Sequence, residues 1–381
     1  MIIGIDASRY SHKSATGVEN YSRNIIDGIL SEFLQNPEDK IVLYVRDAPE
    51  IKNLQKNVSV KIIDNKRLWT LRGLSAEMKT NPPDILFVPS HVLPLTLPKK
   101  SVVTIHDVAF RHLRRAYSFS QYHYLNWSTK FAVKHSTRII VPSQATANDL
   151  VNIFCCPRNK ITVILHGFSE PKVDHSHIRN LSFKDFDAFK YADFPKNMKY
   201  MFFVGRLEIK KNIKRLVEAF NLFREKYPDY WIVLGGKRGE GFSKIIKNLR
   251  RRCLLKNVLM PGYLSEDEKA FLYMNCEFFV FPSLYEGFGL PLLDAFYYEK
   301  PILCSNIDVL REIYGDSACY CNPLDTVDIK DGMLKLAKDQ AYRQKLSASG
   351  KERLKKFSWR ISTKRTLQTL RAVYLKKPKH G

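Results

Sequence analysis

Short runs of β-branched and aromatic residues alternate with helical stretches along almost the whole chain, and this limits the fold more than any other feature. In the first half the runs are IIGID (2–6), KIVLYV (40–45), VKIID (60–64), DILFVP (84–89), SVVTIH (101–106), RIIVPS (138–143) and ITVIL (161–165). In the second half they are YMFFVG (200–205), YWIVLG (230–235), FFVFP (278–282) and PILCS (301–305). Helical stretches intervene, such as Asn212 to Lys226 and Asp325 to Lys338. Such alternation demands parallel sheets covered on both faces. At 381 residues the chain is too long for one ordinary domain. The expected architecture is therefore α/β, with two Rossmann-like, doubly wound parallel-sheet domains facing a cleft.

The segment between Ser169 and Lys199 breaks the pattern. It is polar, rich in Lys, Asp and His, and ends near Pro195, as an interdomain connection would. The reading is a first domain over 1–175, a connection over 176–198 and a second domain over 199–357. A last helix over 358–381 is expected to pack back on the first domain. Its apolar face would come from Ile361, Leu367, Leu370, Val373 and Tyr374. In open parallel sheets, ligands bind outside the carboxyl ends of the strands. The residues just after each strand are the candidates for chemistry.

Two such stretches stand out. In FPSLYEGFGLPLLDA, Glu286 sits between a strand and a helix, beside Gly287 and Gly289. Pro291 suits a first helical turn. The glycines let backbone approach a ligand, and amides at a helix start favour an anion. Carboxylates at Glu286 and Asp294 can accept hydrogen bonds from sugar or ribose hydroxyls. The plain alternative is a helix with acidic residues near its positive end. It does not account for two glycines around a loop carboxylate. In FVGRLEIKKNIKRLVEAF, Arg206 and Lys211 flank a strand-to-helix turn, a planar fork and a mobile point charge for phosphate oxygens. Lys210 reads as surface basicity.

Together, GRLEIKKNI and FPSLYEGFGLPLLDA resemble the donor-binding half of retaining glycosyltransferases of family four, which have the GT-B fold. IDASRY…TGVENYSRNI (5–25), TIHDVAF (104–110) and the FSW at Phe357 to Trp359 are similar to that family's other motifs. The resemblance implies that Arg206 and Lys211 hold the donor diphosphate. It implies that Glu286 contacts the transferred sugar and that the amides of Gly287, Phe288, Gly289 and Leu290 contact sugar and phosphate. The family's second acid, a ribose ligand, is here Asp294. It is one methylene shorter, so the contact needs a small shift or a bridging water. Gly17 would let the acceptor domain approach the diphosphate, His106 would reach the transferred sugar, and Tyr263 would lie near the base. For His106 the alternative is a histidine satisfied by a strand-end hydrogen bond. His91, His166, His175 and His177 read as structural. The implied reaction retains anomeric configuration, needs neither metal nor cofactor, and uses a GDP- or UDP-linked sugar. Resemblance in the N-terminal motifs leans toward mannosyltransferases of bacterial surface polysaccharide, hence GDP-mannose.

The formal charge of +24 calls for an anionic partner. From Val108 to Asn148 there is no acidic residue, while Arg111, Arg114, Arg115, Lys130, Lys134 and Arg138 mingle with Phe110, Tyr117, Phe119, Tyr122, Tyr124, Trp127 and Phe131. This suits an anionic membrane surface and a saccharide or lipid-linked acceptor. The alternative is a buried aromatic helix with a solvated basic face. A basic nucleic-acid-binding protein is the main rival from another class: it accounts for the charge but not for EGFGLP or the GRLEIKKN turn, and no RNA- or DNA-binding signature accompanies the charge, so nucleic acid is not expected as a partner. A nicotinamide dehydrogenase would want G-x-G-x-x-G after its first strand, and GGKRGEG (235–241) lacks the P-loop ending. Asp185-Phe186-Asp187, the sole D-x-D string, lies in the polar connection. A nucleotide-sugar epimerase of the same fold is the remaining rival. Seven scattered cysteines without zinc spacing read as reduced thiols. MIIGIDASRY reads as a strand rather than a signal peptide, which points to a cytoplasmic protein, peripheral on the inner face of the membrane.

Overall fold

The computed structural model describes all residues except 11–16, 34–38, 48–54, 66, 187–188, 190–197 and 377–381. Pro195 and Asp187 therefore lie outside the described residues. The chain divides into two compact units. The first comprises Met1–Arg111, Phe119–Gly167 and Phe357–Gly381, and the second His112–Ser118 and Phe168–Lys356.

The first unit is built on seven strands: β1 (Ile2–Asp6), β2 (Lys40–Val45), β3 (Val58–Ile62), β4 (Ile85–Val88), β5 (Ser101–Thr104), β6 (Arg138–Val141) and β7 (Ile161–Val163). They form one parallel sheet in the order β3-β2-β1-β4-β5-β6-β7. The order reverses at β1, whose neighbours are β2 and β4, which makes the carboxyl end of β1 and β4 the topological switch point. Every residue of β4 and β5 is buried, as covering helices on both faces require. The helix Gly17–Phe33 inserts Tyr21, Ile25, Ile26 and Ile29 into the core at three- and four-residue spacing.

The helix Trp359–Leu375 adds Leu367, Leu370 and Val373 to the same core. Two of the residues expected on its apolar face are not there: Ile361 is 54% exposed and Tyr374 37%. Hydroxyl residues take their place, for Ser362, Thr363, Thr366 and Thr369 are buried. Thr366 and Thr369 donate to carbonyls one turn back, Ser362 and Arg365, which satisfies these two buried hydroxyls within the helix.

The second unit holds β8 (Tyr200–Val204), β9 (Trp231–Gly235), β10 (Val258–Gly262), β11 (Phe278–Phe281), β12 (Ile302–Ser305) and β13 (Cys319–Cys321), parallel in the order β10-β9-β8-β11-β12-β13. Its core is aromatic. Phe202 packs edge-on against Tyr273 and Phe279, and Phe203 stacks with Phe281. Part of the polar connecting stretch folds onto this unit. Asp174 caps the short helix His175–Ile178 by accepting from the Ser176 and His177 amides. Ile178, Phe186 and Phe189 are buried, and Phe183 sets its edge against Phe189, Tyr200 and Phe271. Asp185 accepts from the Ser182 amide and hydroxyl, a capping role. The cysteines are free thiols. Among the described residues, no helix is long and apolar enough to cross a membrane.

Candidate active site

The carboxyl ends of β8, β9 and β10 are joined glycine to glycine. The Gly205 amide donates to the Gly235 carbonyl at 3.0 Å, and the Gly236 amide to the Gly262 carbonyl at 2.6 Å. A Cβ on Gly236, at φ +133°, would lie 1.9 Å from the Gly205 carbonyl oxygen, so the two backbones can meet only without a side chain. The chain leaves this rim at Arg206, which is exposed and lays its stem along Gly239.

Asn212, which the sequence reading passed over, then turns the chain into the helix Ile213–Arg224. It is buried in a left-handed conformation, φ +58°, and its Nδ2 donates to the carbonyls of Pro282 (3.1 Å) and Pro323 (2.6 Å). The Leu284 amide donates to the Lys210 carbonyl at 2.8 Å. Asn212 thereby ties the turn after β8 to the loop after β11. A polar residue between a lysine pair and an amphipathic helix was the available signal, since Asn tolerates the left-handed region better than most side chains.

That tie brings together two of the charged residues singled out, one from each of the two stretches. Lys211 Nζ lies 2.5 Å from Glu286 Oε1, with the two side chains 12% and 8% exposed. The ammonium also sits 4.7 Å over the Phe281 ring. Glu286 is followed by a buried loop, Gly287 to Gly289. Gly289 adopts φ +93°, and its carbonyl accepts from the Tyr314 hydroxyl at 2.6 Å, a fixing contact with no local sequence signal. Ser305 Oγ donates to the Ser283 carbonyl at 2.6 Å on the same loop. The helix Pro291–Tyr297 begins with proline, as expected. Its first N–H groups are not open to a ligand: Leu292 donates to Gly289 and Leu293 to Leu290.

Asp294 is half-buried one turn into that helix. Burial pushes its carboxyl up to about 7; Lys269 opposes the shift and Glu266 adds to it. Tyr263 follows β10, 53% exposed, with Lys237 Nζ 4.8 Å over its ring. Arg206, Lys211, Tyr263, Glu286, Gly287 to Leu290 and Asp294 all belong to the second unit.

Gly17 and His106 belong to the first. Gly17 is the exposed first residue of its helix, and the residues before it lie outside the described ones. His106 follows β5 and is 7% exposed. Its Nε2 is 3.0 Å from the Pro89 carbonyl. A carbonyl can only accept, so Nε2 carries the proton and Nδ1 is left as the acceptor nitrogen. Burial, then the neighbouring His91, lowers its pKa to about 3, so the ring is neutral at physiological pH.

Two parallel α/β units with loop chemistry at the strand ends define a GT-B-type protein. Solved structures agree on the fold. Sucrose-phosphate synthase from Thermosynechococcus elongatus matches with a TM-score of 0.72 at 16% identity, over 98% of this chain and 99% of that one. WaaG, a glycosyltransferase involved in lipopolysaccharide biosynthesis, matches with 0.71 at 12% identity, over 97% and 99%. Residues 185–353 match the family model for glycosyl transferases group 1, and residues 44–170 that for glycosyltransferase family 4. The O-antigen chain mannosyltransferase B of Escherichia coli is 26% identical over 289 residues, 75% of this chain and 73% of that protein. The serotype-specific mannosyltransferase WbdA of Escherichia coli is 30% identical over 275 residues, 69% of this chain but 32% of its own length. The chain is a glycosyltransferase of the family-four type, and hence an enzyme.

Proposed function

We propose that the chain is a retaining, metal-independent hexosyltransferase that moves mannose from GDP-mannose to a saccharide or lipid-linked acceptor in cell-surface polysaccharide synthesis. The buried Lys211–Glu286 pair at the ends of β8 and β11 carries the reading. An ion pair so placed offers a cation for a diphosphate and a carboxylate for sugar hydroxyls within one small space, and Arg206 leaves the end of the same strand, β8. The lean to mannose rests on the E. coli mannosyltransferases among the relatives.

In this reading the donor diphosphate draws Lys211 and Arg206 to itself, and Glu286, released from Lys211, orients the sugar. Negative charge builds on the leaving diphosphate as the glycosidic bond breaks, and the two cations stabilise it more than they stabilise the ground state. The diphosphate takes the acceptor hydroxyl's proton on the same face of the sugar, which retains the anomeric configuration. The loop amides of Gly287 to Leu290 hold sugar and phosphate, Asp294 the ribose, and Tyr263 lies by the base. His106 accepts a sugar hydroxyl through Nδ1, and Gly17 leaves room for the diphosphate. The acceptor is presented at the cytoplasmic face of an anionic membrane, where the helix Phe119–His135 exposes Phe119, Tyr124 and Trp127 among its basic residues.

Proton NMR of the product tests the stereochemistry. An α-linked product from the α-linked donor is expected; a β-linked product would overturn the retaining mechanism. Free sugar epimerised at one carbon, formed without acceptor, would favour the epimerase.

A further inference from the structure

We infer that Trp359, from the last helix of the chain, is a positioning residue for His106, acting through His166 and Tyr21. The inference rests on the substrate role proposed above for His106, more than 250 residues earlier in the sequence.

The four rings form one cluster within the first unit, with Tyr21 edge-on to His106. Trp359 lies face to face with His166, centroids 6.0 Å apart and planes 25° apart. His166 is 5.5 Å from His106. Tyr21 touches all three, at 4.7 Å from His106, 4.6 Å from His166 and 5.9 Å from Trp359. Its own position is fixed by a 3.2 Å hydrogen bond between its hydroxyl and Thr104 Oγ1. His91 closes the other side of His106 at 5.3 Å.

The start of the helix also grips the chain on both sides of His166. Ser362 Oγ donates to the Leu165 carbonyl at 2.6 Å. A Cβ on Gly167 would lie 2.2 Å from the Trp359 nitrogen and 2.5 Å from its Cα. Three consecutive residues, Leu165 to Gly167, are therefore set by the helix, and the middle one carries the imidazole that backs His106. Burial holds His106 and His166 neutral, so the crowding of imidazoles brings no charge repulsion. One hydrogen bond to Pro89 fixes the Nε2 end of His106, and the rings packed around it fix its tilt. Tilt decides where the free Nδ1 points. Since misplacement of a reacting group by about 1 Å can cost about 100-fold in rate, a remote ring can govern turnover without touching substrate.

The test uses the full chain with Trp359→Ala, Trp359→Phe and Leu370→Ala, the last a core residue further along the same helix. The surroundings of the His106 ring are read from its imidazole proton and nitrogen-15 shifts, beside kcat, KM and melting temperature. Trp359→Ala should move those shifts and lower kcat about 10- to 100-fold, with the donor KM within about twofold of the parent. Trp359→Phe, which keeps a ring against His166, should restore the shifts and most of kcat. Leu370→Ala should lower the melting temperature while keeping the His106 shifts, which separates positioning from mere helix docking. Unchanged His106 shifts in Trp359→Ala would overturn the inference, as would the same shift change in Leu370→Ala. Moved shifts with unchanged kcat would also overturn it. A fully active His106→Ala variant would then place the failure in the role given to His106 rather than in the packing.

Discussion

Replacing Lys211 or Glu286 alone should cost far more stability than replacing both. The two charges are 2.5 Å apart and almost fully buried. Their attraction is about 7 kcal/mol at an effective dielectric constant near 20. Desolvation of several kcal/mol per ion consumes most of that gain, so the intact pair is close to neutral for folding. Lys211→Met strands a buried carboxylate, and Glu286→Leu strands a buried ammonium. Each should cost about 3–5 kcal/mol. In a unit of this size, that lowers the melting temperature by roughly 10 °C. The double variant removes both charges and should regain most of the loss, although it has no donor site left. The assay is a thermal melt of four proteins without donor, closed as a double-mutant cycle. Coupling of about 3 kcal/mol or more is expected. Losses that simply add would show that the pair does not interact, and the idea that donor binding exchanges one partner for another would go with it.

Arg206→Ala should weaken donor binding about 10- to 100-fold, by the loss of charge-assisted hydrogen bonds. Its melting temperature should not move, because the side chain is exposed; calorimetric titration and a melt read the two effects. Asp294 gives a pH signature. Its folded pKa of about 7 is raised above the ordinary carboxyl value, so the folded state holds the proton longer. Stability should be greatest below the unfolded pKa, fall as pH rises toward 7, and level off above it. Ribose hydroxyls favour the ionised carboxylate, so donor affinity should rise between about pH 6 and 8. Asp294→Asn should flatten both dependences, and an unchanged profile in that variant would assign them to another group. Wild-type protein should bind anionic liposomes at low salt, and the joint change Phe119→Ser with Trp127→Ser should weaken that binding about tenfold or more in sedimentation assays, by loss of buried aromatic area. Equal binding by the variant would move the contact off this helix.

Much of the architecture was legible because buried parallel strands are nearly continuous apolar runs. The two missed strands lack that signature. β10, VLMPG, carries Pro261, is half-buried throughout, and shifts register between Leu259 and Gly262 at the sheet edge. β13, Cys-Tyr-Cys, is three residues long. The polar connection hid its anchors because Ile178, Phe183, Phe186 and Phe189 follow no helical or strand period. The last helix misled for the opposite reason: a regular apolar pattern exists, but Ser and Thr hydroxyls bonded within the helix replace part of it in the core. The candidate site was legible as motifs and not as contacts. Nothing in the sequence pairs Lys211 with Glu286, which are joined through Asn212 and two proline carbonyls. The ring cluster of Tyr21, His106, His166 and Trp359 draws on four separate segments, so no local pattern could announce it.

The most direct test is turnover of UDP-, GDP-, ADP- and dTDP-sugars in the presence of chelator, read as release of nucleoside diphosphate by the parent and by Arg206→Ala. The account predicts that GDP-mannose is consumed without metal and that Arg206→Ala slows the reaction strongly. Consumption of no nucleotide sugar, or consumption only with an added divalent cation, would contradict it.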